Sequence, residues 1–176
     1  MALAASAPAA GPPKFDGTTH LTFTLRIQAH GITLRTVRFQ RSVPLTAAGF
    51  RTFLKHGYWD VGFLGKNEAQ SMHMCDLSTF CTDLEPGHEL DGAPFNNISV
   101  TSPASAQTAS RRTFVLDGSM AIGSRASITN VSPDFNLCRS GCSSPGFLID
   151  TPSPIAVAAG QSVLFTIEIS LSLKHG

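Results

Sequence analysis

Residues 162–173 alternate between large apolar residues and mostly polar ones, and this alternation is the feature that most limits what the chain can fold into. The apolar positions are Val163, Phe165, Ile167, Ile169, Leu171 and Leu173. Since successive side chains of a β-strand point to opposite faces, the pattern predicts a long strand with one buried face. Such a regular strand would attract other chains at a sheet edge, so we expect it at the centre of its sheet. The alternative is that intermolecular pairing through it is part of the design.

A second alternating stretch, residues 18–28, predicts another half-buried strand. Its apolar face consists of Leu21, Phe23, Leu25 and Ile27. His30-Gly31 then predicts a hairpin turn near residues 29–31, after which residues 32–38 alternate less cleanly. Shorter apolar runs between turn residues predict further strands at 58–64, 97–101, 113–116, 120–122, 126–131, 147–149 and 155–157. Many short strands at this spacing are typical of an all-β sandwich or barrel.

Residues 46–56 are the best candidate for a helix. Thr46 can cap its N-terminus, and Phe50, Phe53 and Leu54 recur at helical spacing. Gly57 stands where a helix commonly ends. Because so short a helix needs tertiary packing, we expect it to cover a sheet edge or the mouth of a barrel.

These patterns predict a mainly β fold, either an antiparallel β-sandwich or a jelly-roll-like barrel. The length of 176 residues fits one domain, which we place at 17–176. The Ala- and Pro-rich residues 1–16 predict an extended N-terminal arm. Residues 65–95 predict a long acidic loop that contains two cysteines, and loops of this length tend to be functional.

Charge is scarce and unevenly distributed. Asp, Glu, Lys and Arg make up 14% of the chain, and the net charge is +1. Residues 14–59 carry seven bases and one acid, whereas residues 60–91 carry seven acids and one base. Either the two regions neutralise each other within one fold, or they lie on different faces and let identical copies dock. The residues expected at such an interface are Lys14, Arg35, Arg38, Arg41, Asp76, Asp83, Glu85 and Glu89.

The four cysteines form two close pairs, for which three interpretations remain open. A zinc site would use ligands within sixteen positions, namely His73, Cys75, Cys81 and His88, or an all-cysteine set in which Cys138 and Cys142 join the first pair. Disulfides would instead join members of the set Cys75, Cys81, Cys138 and Cys142 in one of three connectivities. The third interpretation is four reduced thiols. Neither pair has the CxxC spacing of the usual zinc knuckle, so we expect no metal.

Motifs that would indicate an enzyme are missing from the sequence. It contains no HExxH, no GxSxG and no glycine-rich phosphate loop. We therefore expect no catalytic residues, no enzyme activity and no cofactor, and a zinc-stabilised enzyme domain is the weakest hypothesis. The small net charge predicts no nucleic-acid partner. The sequence contains no apolar run of about 18 residues, so we expect no membrane-spanning helix.

Two segments resemble small β-sandwich structural proteins of tailed bacteriophage virions. They are FVLDGSMAIGSRASITNVSP at 114–133 and FLIDTPSPIAVAAGQSVLFTIEISLSL at 147–173. The second is similar to the closing strand pair of capsid-decoration, neck and tail-fibre modules, with a Pro-started edge strand, a Gly-Gln turn and a long alternating strand. The resemblance implies a structural virion protein, made in the host cytoplasm, whose partners are copies of itself and other virion proteins in an oligomeric assembly.

The alternative function is a secreted or cell-surface β-sandwich that binds carbohydrate or adheres to a surface. Tyr58 and Trp59, with the acids that follow them, would form its stacking platform. The competing interpretation of these two aromatic residues is packing in the core.

Overall fold

The strictly alternating segment forms the central strand of a five-stranded antiparallel sheet in the computed structural model of the chain. The structure describes residues 16–55, 58–67, 98–136 and 146–174. Its strands are β1 (Asp16–Ala29), β2 (Ile32–Pro44), β3 (Tyr58–Asn67), β4 (Ile98–Thr101), β5 (Arg111–Ala121), β6 (Ala126–Asn136), β7 (Ile149–Val157) and β8 (Ser162–Lys174). The large sheet has the order β2-β1-β8-β5-β4, and the small sheet has the order β3-β6-β7.

The two sheets pack as a sandwich, which confirms the predicted mainly β, antiparallel fold. The described strands do not close into a barrel. Strand β2 lies against β7 at one side of the sandwich, and β3 lies against β4 at the other. Strands β2 and β4 are therefore the opposite edges of the large sheet, about 19 Å apart if each of the four strand spacings is about 4.8 Å.

The inner faces of both sheets form one hydrophobic core. On β8, Val163, Phe165 and Ile167 are at most 2% exposed. The buried apolar residues of β1 are the predicted ones, Leu21, Phe23, Leu25 and Ile27, and Thr19 on the same face is buried as well. The rings of Phe63 and Phe165 meet edge to face across the two sheets, with centroids 5.7 Å apart. The predicted central position of the long strand is thus confirmed, because β8 pairs with β1 on one side and β5 on the other.

The predicted hairpin joins β1 to β2 through His30 and Gly31. Their φ angles are +49° and +78°, the two positive values that a type I′ turn requires. This turn twists in the same sense as the strands, so β2 continues as a regular partner of β1. One irregularity interrupts the pairing, because Ile27 pairs with Arg35 and Gln28 with Thr33, which leaves Leu34 as an extra residue.

The helix α1 (Ala47–Phe53) is shorter than the predicted span of 46–56. Thr46 caps it as expected, because its Oγ1 accepts the N–H of Gly49 at 3.0 Å. Phe50 and Phe53 are buried, but Leu54 is 42% exposed and lies beyond the helix. The Leu54 N–H donates to the carbonyl of Arg51, which tightens the last turn and rotates Leu54 away from the core.

Several predicted boundaries are also corrected. The run 113–116 and residues 120–121 belong to one strand, β5, which ends at Ala121, and the runs 147–149 and 155–157 both contribute to β7. Strand β3 extends to Asn67, so the first three residues of the expected loop at 65–95 are strand. Residue 16 begins β1, and the rest of the predicted arm lies outside the described residues, as do 68–95.

Candidate interaction surface

The outermost strand of the large sheet, β2, presents a row of backbone groups that point away from β1. The N–H of Leu45 donates to the carbonyl of Gly17 at 2.9 Å, which makes this a hydrogen-bonded pair. Hydrogen-bonded and non-hydrogen-bonded pairs alternate along an antiparallel ladder. The odd-numbered residues Val37, Phe39 and Arg41 therefore bond to β1. The even-numbered ones direct their N–H and C=O groups outward, and we call Thr36, Arg38, Gln40 and Ser42 the open edge.

Three arginines from the predicted interface lie along this same strand. Arg38 is exposed on the outer face of the sheet, whereas Arg35 and Arg41 project from the inner face at its rim. Arg35 donates to the carbonyl of Ala156 on β7 at 2.9 Å. Arg41 donates to the carbonyl of Gln40, and its guanidinium lies 5.7 Å from the centre of the Phe39 ring. Positive charge thus flanks the open edge on both faces.

Two large apolar side chains are exposed where β2 begins. Ile32 is 67% exposed and Leu34 is 56% exposed. Neither was predicted as an interface residue, although the uneven alternation at 32–38 was the available signal. The extra residue at Leu34 is the cause of that unevenness, because it shifts the register of the strand by one position.

The outer face of the large sheet is covered by hydroxyl groups. Thr166 donates to Asp117 Oδ1 at 2.6 Å, and the hydroxyl oxygens of Thr113 and Ser170 lie 3.0 Å apart. Each of these pairs stands directly opposite in register. The face is polar with few charges, and its side chains are ordered by cross-strand hydrogen bonds.

The other outermost strands in the described part of the chain are shorter or blocked. Strand β3, at one edge of the small sheet, has ten residues, and its pairing with β6 is irregular between Leu64 and Gly65. Strand β4 has four residues. Strand β7 contains Pro152 and Pro154, and its pairing with β6 breaks between Ile128 and Asn130. Proline lacks the N–H that a further strand would need, and irregular pairing re-aims the remaining groups. With 13 residues and its sole proline at the end, β2 is the long regular edge of the large sheet.

The strongly acidic part of the sequence is attached at the other side of the sandwich. Residues 68–97 carry six acids and no Lys or Arg. They leave β3 at Asn67 and re-enter at Ile98 on β4, the edge opposite β2. The described residues carry eleven Lys or Arg and six Asp or Glu, a net charge of +5, against −6 for residues 68–97.

The remaining predicted site residues lie outside the described residues. For the interface these are Lys14, Asp76, Asp83, Glu85 and Glu89; for zinc, His73, Cys75, Cys81 and His88; for disulfides, Cys138 and Cys142 together with the first cysteine pair. Within the described ranges, no three His, Cys, Asp or Glu side chains are grouped so as to hold a metal ion. No helix in the described part of the chain is both long and apolar enough to cross a membrane.

Trp59 packs in the core, as one of its two interpretations predicted. It is 3% exposed, and its ring contacts Phe53, Phe114 and Phe135 at centroid distances of 5.2–5.7 Å. The indole therefore offers no open face on which a sugar ring could stack. The side chain of Tyr58 lies outside the described part of the structure.

Strand β6 carries a second group of polar residues, which the sequence did not indicate. Asn130, Ser132 and Asp134 are buried although they alternate with the core residues of the small sheet. Asn130 donates to Asp150 Oδ1 at 2.5 Å, and the Ser132 hydroxyl donates to Asp134 Oδ2 at 3.3 Å. The Asn130–Asp150 bond joins β6 to β7, and the Ser132–Asp134 bond lies within β6, so both satisfy buried polar groups inside the small sheet.

Comparison with protein-family models, with curated proteins and with solved structures gave no match for this chain.

Proposed function

We propose that the protein is a structural subunit that assembles with copies of itself, as a capsid-decoration, neck or tail component of a tailed-phage virion. The observation that carries the proposal is the long open edge of β2, which bears Arg35, Arg38 and Arg41. Monomeric proteins block such edges by proline, bulges or short strands, or repel partner strands with charged side chains. In this sandwich β7 is blocked in that way, whereas β2 has only its charges and one irregularity near its start.

The distribution of charge favours contacts between unlike surfaces of two copies. The basic edge and the attachment points of the acidic segment 68–97 lie at opposite sides of the sandwich. A basic surface on one copy and an acidic one on the next form a heterologous contact, which produces rings or open chains. Complementary potentials also set register and exclude wrong partners.

The assignment to a virion is supported by the resemblance to small virion proteins. The two resembling segments, 114–133 and 147–173, include most of β5, β6, β7 and β8. The hydroxyl-rich outer face formed by β1, β5 and β8 fits contact with neighbouring virion proteins, because interfaces combine well-packed surfaces with direct hydrogen bonds. Other virion subunits are accordingly the second class of partner.

Sedimentation velocity of the full chain tests the assembly. At about 50 mM salt we expect mass to increase with concentration, and at about 500 mM salt the association weakens because exposed charges are screened. The variant Arg35→Glu/Arg38→Glu/Arg41→Glu should remain monomeric at low salt. A wild-type chain that stays monomeric at low salt over the accessible concentrations would overturn the proposal.

The matched control changes the same number of charges away from β2. Lys66, Arg111 and Lys174 are exposed, and none lies on that strand. The variant Lys66→Glu/Arg111→Glu/Lys174→Glu should still associate, since its basic edge is intact. Equal loss of association in both triple variants would show that net charge, rather than the β2 edge, controls assembly.

The virion setting has a separate test in the genes that flank the gene for this protein. Capsid, neck or tail genes as neighbours support the setting. A secretion cluster as the neighbour contradicts it and favours the adhesive alternative.

A further inference from the structure

We propose that the contact between copies is strand addition, in which the acidic segment 68–97 of a second copy pairs with the open edge of β2. This inference rests on the proposed function and names the structural element and the partner segment that form the contact. Strand addition joins two chains by main-chain hydrogen bonds, with side chains on both faces setting specificity.

The backbone of β2 is suited to an added strand. Thr36, Arg38, Gln40 and Ser42 direct their N–H and C=O groups away from β1, so a partner can pair without breaking a main-chain bond of the sheet. The Gln40 carbonyl accepts from the Arg41 side chain, which an added strand would displace or share. The pairing of β2 with β1 is continuous from Arg35 to Pro44. The irregularity at Leu34 lies before this stretch and marks one end of the regular edge.

The side chains of β2 favour an acidic partner. Arg38 lies on the outer face, and Arg35 and Arg41 lie on the inner face at the rim. Both faces of an added strand would therefore meet an arginine. Opposite charges across neighbouring strands stabilise the pair, and like charges destabilise it. Residues 68–97, with six acids and no Lys or Arg, match this requirement in charge, and Pro86 and Pro94 limit the added strand to the stretches between them.

The same arginines disfavour pairing of β2 with β2 of a second copy. An antiparallel pair centred on Arg38 places Arg38 opposite Arg38 and Arg35 opposite Arg41. Positive charges would then face each other on both sides of the new sheet. The arginines thus destabilise the antiparallel β2–β2 pair centred on Arg38 and stabilise pairing with an acidic strand.

Both ends of the segment are attached at the side of the sandwich opposite β2. Asn67 and Ile98 lie at the β3/β4 side of the sandwich, and β2 lies at the other side. Each copy then has one acceptor edge and one donor segment at opposite sides. Such an arrangement continues from copy to copy, whereas a two-fold dimer would use the same patch twice.

A proline placed on the open edge tests strand addition apart from charge. Gln40→Pro removes an outward N–H and leaves the bonds to β1 intact, and edge strands tolerate proline at such positions. We expect self-association about tenfold weaker or more, since one main-chain hydrogen bond is lost and the ring obstructs the next strand. Gln40→Ala, which keeps the N–H, should associate within about threefold of wild type.

A second position keeps the test conclusive if Gln40→Pro does not fold. Thr36→Pro and its control Thr36→Ala make the same comparison at another outward N–H, with circular dichroism and a melting curve to check folding. Equal association of the proline and alanine variants at a folded position would overturn strand addition. If Arg38→Glu abolished association in that case, the copies would still assemble through the basic surface of β2, but not by strand addition.

Mixing two defective variants tests the partner segment. Neutralising the acids by Asp76→Asn/Asp83→Asn/Glu85→Gln/Glu89→Gln leaves the open edge intact, and the β2 triple-glutamate variant leaves the acidic segment intact. Each should be monomeric alone, and the mixture should form a one-to-one complex that grows no further. Association of the neutralised variant with itself at wild-type strength would overturn the assignment of residues 68–97.

Discussion

Strands β2 and β7 lie against each other at one side of the sandwich, and each is the outermost strand of its sheet. Strand β7 has Pro152 and Pro154 within nine residues, and its pairing with β6 is irregular. Strand β2 has thirteen residues, its only proline is Pro44 at the end, and it pairs with β1 in register from Arg35 onward. The prolines of β7 leave its edge without backbone donors at residues 152 and 154, whereas the backbone groups of β2 remain available and are flanked by arginines.

Protection of an edge by proline and protection by charged side chains have different consequences. A proline removes a donor, so it excludes every partner strand regardless of its sequence. A charged side chain leaves the backbone groups available and discriminates between partners by sign. An edge guarded by charge can therefore be selective, and that is the property that an assembly subunit needs.

The largest effect is expected from a proline that faces β1 instead of solvent. Val37 is opposite Leu25 and bonds to it, so Val37→Pro leaves the Leu25 carbonyl without its donor. The free energy of unfolding should fall by about 1–3 kcal/mol. Urea denaturation measures it, with Thr36→Pro as the control that should lose less. Equal losses would show that the assigned direction of the backbone groups is wrong.

Removing the prolines of β7 should convert the closed edge into an open one. In Pro152→Thr/Pro154→Val the strand regains two N–H groups and carries no Lys or Arg of its own, although Arg35 of β2 binds the Ala156 carbonyl. We expect association that persists at about 500 mM salt, because unguarded edges pair without regard to charge. Light scattering at high salt measures it. If the variant scatters like wild type, the prolines are not what protects this edge.

A smaller effect on stability is expected from a substitution at Arg41, one of the three arginines that flank the open edge. Its guanidinium contacts the Phe39 ring and the Gln40 carbonyl. Arg41→Met should lower the free energy of unfolding by about 0.5–1 kcal/mol, the usual size of an exposed cation–π contact. Arg38→Met, on the outer face, should change it by no more than about 0.5 kcal/mol. Thermal melts of the two variants give the comparison, and a larger loss at Arg38 would contradict it.

The fold could be predicted where a local sequence pattern determines the structure. The prediction failed where tertiary contacts determine the bounds of a strand. The period of two in β1 and β8 and the His30-Gly31 turn are local, and the structure confirms them. Strand β5 was split in the prediction because Gly118 interrupts its apolar run. In the sheet Gly118 stands opposite Phe165, so the strand continues.

The arginines of the proposed interaction surface could be named from the sequence, but their place on an edge strand could not. Charge counts indicated Arg35, Arg38 and Arg41, and these lie together on β2. That β2 is an edge depends on which strands pair, which the local pattern does not encode. The closure of β7 likewise depends on its outermost position, since two prolines matter only where a strand could be added.

Amide hydrogen exchange of the wild-type chain, in dilute and in concentrated solution at low salt, tests the open edge most directly. The account predicts that the amides of Arg38 and Gln40 exchange fast when the protein is dilute and become at least about tenfold protected as it associates. The amides of Val37 and Phe39, already bonded to β1, should be protected in both solutions. If the Arg38 and Gln40 amides exchange equally fast in both while the protein associates, strand addition at β2 is contradicted.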